Sequence, residues 1–358
     1  MSDKQEDGVP DGGQPVESDT ASKKSEAVES QYESIRKTRR VRFVGWITVL
    51  VGTVFVFVQG LSATGLMDED LTWAFFTEQL RNFFPTTRLF DVLPFLDVGR
   101  YFSYIRSENL LYDPEIGSLL FSWPPELYTF FFQEFGVFSI FGEAGITLAM
   151  GFVGTVMGLP FALLFGVLGS ERVTPFPFNF IFRGTMSFIR SIPALVWTLI
   201  FVALAGLTPV AATLAIAVDT IGNLGRLFVD ELEEIADGPI EAMETTGASR
   251  PQIIVFGMLS QVKTSFIAWT LYILEINVRI AVTVGVYGAG GLGQVVETQQ
   301  GLLRWSNMMA TLFCIFLLII TVELFSQRLR SRLRADEKRT WRELIFGFPD
   351  RFARSMLK

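Results

Sequence analysis

The stretch Val210 to Val229, VAATLAIAVDTIGNLGRLFV, sets the class of this protein. Wound as a helix at about 1.5 Å per residue, it reaches about 30 Å, the thickness of a bilayer's hydrocarbon core. Apart from Asp219, Asn223, Arg226 and two threonines it holds nothing polar, and those three fall at i, i+4 and i+7, on one helix face. A charge near the bilayer centre costs on the order of 3 kcal/mol on insertion scales, so such groups require a partner, a water-filled path or a function.

Outward from this span, five more apolar runs have suitable length: Phe43 to Leu61, Ala144 to Leu168, Ile192 to Leu207, Phe266 to Tyr287 and Met308 to Leu324. The run from Ile192 is short unless Phe178 to Arg190 extends it. The reading is an all-α membrane protein of about six transmembrane helices. Basic clusters before Phe43 (Arg36, Lys37, Arg39, Arg40, Arg42) and after Leu324 (Arg328, Arg330, Arg332, Arg334) put both termini in the cytoplasm. By that count Ser62 to Phe141 lies outside; it carries eleven acidic residues and four arginines, and its aromatic residues suggest amphipathic helices at the interface. The division expected is an acidic disordered tail (1–35), a first span (36–61), the outer loop (62–141), a core (142–327) and a basic cytoplasmic tail (328–358). The N-terminus shows no signal-peptide pattern, so insertion without cleavage is expected.

Composition narrows the function. Half of the residues are hydrophobic, 19% are charged and Phe occurs 35 times, more apolar surface than one soluble core needs. There is no His, and the single cysteine, Cys314, sits in an apolar run, which argues against disulfides, metal chemistry and His-based catalysis. A membrane-embedded enzyme would need a Ser-Lys or paired-carboxylate arrangement, and no intramembrane Lys is available. A net charge of −7 argues against a nucleic-acid partner.

Further polar residues mark the spans. Glu275 and Arg279 are i and i+4 and close enough to pair, while Asn277 points to nearly the opposite side. These groups, with Asp219, Asn223 and Arg226, either lock helices together or line a solute path. Gly145, Gly151, Gly154, Gly158 and Gly166 recur in the second span, the GxxxG of Gly154 and Gly158 permitting close helix approach, and Pro160 is expected to bend it. GAGGLG at Gly288 to Gly293 has no strand before it, no helix expected after it and no following Lys, so it reads as a glycine-rich re-entrant break.

The segment 230–261, between the fourth and fifth spans, carries the strongest signal. An acidic helical stretch is interrupted at Gly238 and Pro239, a new helix begins there, Gly247 ends it after about two turns, and Ser249 with Gln252 has capping-box spacing for the next. A helix this short is unstable alone and is completed by packing on a partner.

EAMETTGASRPQIIVFGMLSQ, Glu241 to Gln261, resembles the EAA loop of ABC importer permeases: Glu241, Ala242, Gly247 and Leu259 fall on the pattern, Met243 replaces its second Ala, and Ser260 stands where Pro is usual. RSIPALVWTLIFVALAGLTPVAATLAIAVDTIGNLGRLF (Arg190 to Phe228) and EINVRIAVTVGVYGAGGLGQ (Glu275 to Gln294) look like phosphonate-importer permeases, so the resemblance covers roughly Gly154 to Gln300. It implies a type I importer permease fold acting as a pair. A cytoplasmic ABC ATPase would hold the ATP, no cofactor being bound by this chain, and an extracytoplasmic substrate-binding protein would deliver solute. Glu241, Ala242, Gly247, Ala248, Ser249 and Arg250 would form the ATPase-coupling loop, Ala242 and Gly247 by being small at a tight contact. Arg226 and Arg279 would be candidates to meet an anionic solute. Rival readings are a permease for phosphate, phosphite or another small anion, and a passive channel lined by the Asp219 to Arg226 face.

Overall fold

The computed structural model describes residues 16–65, 73–89, 93–120 and 125–334. The chain divides into two units, Met1–Phe76 and Thr77–Lys358. The first is dominated by α1 (Val16–Ala63), whose Ile35–Ala63 portion is long and apolar enough to cross a membrane. α1 starts at Val16, within the segment 1–35 that the composition assigns to a tail. No Gly or Pro interrupts residues 16–43, and a helix already nucleated by the apolar span extends at little cost. Residues 1–15 and 335–358, the outer parts of the expected tails, lie outside the described residues.

α2 (Trp73–Phe83) runs from the first unit into the second and leads to an antiparallel hairpin of β1 (Thr86–Leu89) and β2 (Leu93–Leu96). The short helices α3 (Val98–Ser107), α4 (Pro114–Leu120), α5 (Pro125–Tyr128) and α6 (Gly136–Ser139) follow. Then come α7 (Gly142–Gly169), α8 (Phe178–Ser191), α9 (Ala194–Ala205), α10 (Pro209–Glu233), α11 (Gly238–Thr245) and α12 (Arg250–Gln252). A π-helical turn, Ile253–Met258, leads into α13 (Leu259–Val284); α14 (Gly291–Gly301) and α15 (Trp305–Arg334) complete the bundle.

Among the described residues five segments meet the length and hydropathy of a span: Ile35–Ala63, Gly142–Gly169, Pro209–Glu233, Arg250–Ala289 and Trp305–Leu333. The sixth is α8 with α9, bent by 90° at Ile192 and Pro193, so Phe178 to Arg190 does not simply lengthen the third span. The physical reason is local: the residue before a proline is pushed out of the helical region, and Ile192 is extended (φ −105°, ψ 117°).

α10 is the most buried of the spans, packed against α7, α8, α9 and α13. With lipid as apolar as any side chain, close packing rather than hydrophobic exclusion holds these helices, and the glycines of α7 make it possible. A Cβ on Gly154 would lie 2.6 Å from Ile216 Cγ2, and one on Gly158 2.5 Å from the Ala217 carbonyl. α7 is a single helix through Pro160. Phe228 of α10 and Phe266 of α13 stack at 4.0 Å between centroids in the interior.

Part of the expected outer loop is built into the bundle. Tyr101, Tyr104 and Leu110 are buried with Cys314 and Leu318 of α15, and Tyr101 packs edge-on against Phe313. Ala144 N–H donates to the Leu110 carbonyl (3.0 Å) and Glu143 N–H to that of Asn109 (3.2 Å), which fastens the end of this segment to the start of α7. α3 buries its paired tyrosines, Tyr101 and Tyr104, on one face. Gly288 to Gly293 forms a tight reversal, Gly288, Gly290 and Gly291 having φ of +88°, +103° and +68°. Contrary to expectation a helix does follow it: α14 begins at Gly291, where Leu292 N–H donates to Thr147 Oγ1 (3.0 Å).

Candidate coupling helix and intramembrane polar clusters

α11 has no buried residue, and Ile240 and Met243 are its half-buried side chains. Its start is set by Pro239 in the first turn, with Ile240 and Glu241 N–H donating to the Asp237 carbonyl. Its end is set by Thr245 and Thr246, whose hydroxyls donate to the carbonyls of Ala242 and Met243 (both 2.8 Å), and by Gly247 at φ +77°. Gly247 faces open space within the chain, so what it contributes here is backbone conformation. Ser249 and Gln252 form the expected capping box, Ser249 N–H donating to Gln252 Oε1 (2.8 Å). Glu241, Ala242, Ser249 and Arg250 are exposed and Ala248 is half-buried. Met243, the departure from the EAA pattern, has its sulfur 3.0 Å from where a Cβ on Gly257 would stand, so the larger side chain fits because its neighbour has none.

An ionic latch holds α11 to the bundle. Arg172, in the turn between α7 and α8, pairs with Asp237 (2.5 Å) and donates to the Glu233 carbonyl (3.0 Å). Arg183 of α8 pairs with Glu233, lies 3.4 Å from Glu171, and donates from Nε to the Gly169 carbonyl (2.7 Å). Neither arginine is singled out by the sequence pattern; the available signal was two basic residues that follow the second span. On α13, Trp269 Nε1 donates to Glu231 Oε1 (2.7 Å), fixing the end of α10 from the other side.

The Asp219, Asn223 and Arg226 face resolves into two pairs. Asn223 Nδ2 donates to Asp219 Oδ2 (2.9 Å), whereas Arg226 turns to Asp230 (3.0 Å). Beside them Arg190 of α8 packs its stem against Gly222, whose added Cβ would come within 3.0 Å of Arg190 Cγ. Glu275 and Arg279 pair (2.5 Å) within a larger network: Arg330 reaches Glu275 (3.3 Å) and Arg279 also reaches Glu323 (3.4 Å), joining α13 to α15 with two charges of each sign. Glu275 is buried while Arg279 is exposed. Asn277 is enclosed at 1% exposure; its Nδ2 donates to Thr155 Oγ1 of α7 and Thr220 Oγ1 of α10, both at 2.8 Å. Both hydroxyls donate onward to their own helix carbonyls, Gly151 and Ile216 at 2.7 Å, so they accept from Asn277 and the three helices are tied together.

Residues 158–335 match the family described as binding-protein-dependent transport system inner membrane component. A putative phosphite transport system permease protein of Stutzerimonas stutzeri is 33% identical over 221 residues, covering 60% of this chain and 78% of that one. A phosphate-import permease protein of Mycolicibacterium smegmatis is 31% identical over 59% of this chain and 42% of its own length. A putative cryptic phosphonate transport system permease protein of Escherichia coli K12 is 39% identical over 33% of this chain and 97% of its own. Among solved structures, the inward-facing MetNI methionine ABC transporter aligns at TM-score 0.47 with 22% identity, over 54% of this chain and 94% of that one. With its apolar spans, its short exposed helix after α10 and a relative of which it covers more than two thirds, the chain belongs to the binding-protein-dependent transport system inner membrane components, as a multi-pass transport subunit.

Proposed function

We propose that this chain is the permease subunit of an ATP-driven importer for phosphonate or a closely related phosphorus oxyanion. A separate cytoplasmic ABC ATPase would seat on α11, and an extracytoplasmic binding protein would release solute at the opposite end of the bundle. The observation that carries the reading is α11 itself, with no buried residue, sharply delimited at both ends and latched to α10 through Arg172 and Asp237. A push on such a helix passes into α10, the most buried span, and from there into α7 and α13, which is what switching between inward-open and outward-open states requires. Both termini are then cytoplasmic, and two permease subunits pair around a path.

Relatives named for phosphite, phosphate and phosphonate transport support the solute class. Arg190 and Arg226 are the path candidates nearest the Asp219 and Asn223 face; Arg279, exposed beside buried Glu275, is the other. Asn277, enclosed and bonded across three helices, acts as a lock and does not touch solute.

The test is reconstitution of the chain with its ATPase and binding protein. ATP hydrolysis that methylphosphonate stimulates, and that Ala242→Trp on α11 abolishes while the folded chain persists, supports the proposal. Methylphosphonate without effect beside strong stimulation by phosphite would move the solute to phosphite, and the absence of any associating ATPase would overturn the importer.

A further inference from the structure

At the bundle end opposite α11, a polar cleft of 430 Å³ opens between α2, α3 and the turn joining α14 to α15. Arg81, Arg100 and Arg304 line it, one from each element, together with Asn82, Ser306 and Asn307. No carboxylate lines it, and among the described residues none of the three guanidiniums forms an ion pair. Elsewhere in the bundle Arg172, Arg183, Arg226, Arg279 and Arg330 each pair with an acid. Three like charges gathered from distant parts of the sequence repel one another, and an anion between them removes that repulsion.

Ser306 gives an independent pointer. It is only 7% exposed, sits in the first turn of α15 and lines the cleft, yet its Oγ has no hydrogen-bond partner. A buried hydroxyl left unpaired costs roughly 1–3 kcal/mol, which a ligand oxygen at that position would restore. The thirty-residue α15 also directs its positive N-terminal end there. The turn is held in place: Leu303 has φ +56°, Arg304 N–H donates to the Gln299 carbonyl (2.9 Å), and Asn307 Nδ2 donates to Gln299 Oε1 (3.2 Å).

We propose that this cleft binds a phosphate-type oxyanion, gripped by the forks of Arg81, Arg100 and Arg304 and by the Ser306 hydroxyl. That chemistry has two sources, a free phosphate or phosphonate ion and the phosphate of an anionic lipid headgroup. The inference rests on the cleft and not on the importer reading.

The test uses the full-length chain in phosphatidylcholine nanodiscs without ATPase, so its result is independent of transport. Titration calorimetry with inorganic phosphate and with methylphosphonate should give saturable binding, weakened at least about tenfold in Arg100→Gln/Arg304→Gln and less in Ser306→Ala. A second arm, native mass spectrometry after reconstitution with phosphatidylglycerol, should show lipid retained by the wild type and lost by the double variant if the headgroup is the occupant. Binding in either arm that depends on these residues supports the proposal and names the source. Binding in neither arm, or equal binding by the wild type and the double variant, overturns it.

Discussion

α10 and α11 are neighbours in sequence, divided by residues 234–237, and opposites in environment. Thirteen residues of α10 are buried and none of α11 is. The first helix is specified by what it packs against inside the chain: the α7 glycines, the Phe266 ring, the Asn277 amide. The second is specified by its ends, by one arginine latch and by Met243 over Gly257. On the proposal that an ATPase seats on α11, damage to α10 should register as lost fold and damage to α11 as lost coupling.

The largest effect is expected where that contrast is sharpest. Gly158→Leu sets a side chain against the Ala217 carbonyl and Thr220, where even a Cβ would be too close, and should destabilise the bundle by about 3 kcal/mol. Size-exclusion chromatography and thermal unfolding in detergent would register aggregation or a large fall in midpoint. Ala242→Trp should leave that midpoint nearly unchanged, because Ala242 is exposed, while solute-stimulated ATPase activity falls by more than about tenfold. An equally destabilised Ala242→Trp would erase the distinction between the two helices. Arg172→Gln breaks the latch; its exposed ion pair is worth less than about 1 kcal/mol, yet stimulated ATPase activity should drop while basal hydrolysis holds. Asn277→Leu removes the amide that bonds Thr155 and Thr220 and so tests its proposed role as a lock. It should cost about 1 kcal/mol in unfolding experiments and leave transport per folded protein within about twofold.

The legible features were those written in short-range pattern. Apolar runs of span length, the Gly238 and Pro239 start, the Gly247 stop and the Ser249 capping box each depend on residues a few positions apart, and the structure reproduces them. So does the Glu275 and Arg279 pair at i and i+4. What stayed hidden is long-range. Arg172 and Asp237 are 65 residues apart, Asn277 and Thr155 are 122 apart, and nothing local tells an arginine or an amide which distant helix will meet it. Arg226 shows the same limit: helical spacing placed it on the Asp219 face, but only the bundle shows that its guanidinium turns to Asp230. The packing of Tyr101 and Tyr104 on α15 is equally long-range, since tyrosines that suit a membrane interface suit a buried helix contact as well.

The measurement that bears most directly on the central claim uses the protein's single cysteine. Cys314 is buried in α15, so Ala242→Cys adds the one accessible thiol among the described residues, on the exposed surface of α11. Its reaction with a membrane-impermeant maleimide, followed in inside-out vesicles with and without the co-expressed ATPase subunit, reports whether that surface is covered. Protection at least about tenfold when the ATPase is present, lost on stripping it, is the predicted result; equal labelling in both preparations would contradict the account of α11 as the ATPase seat.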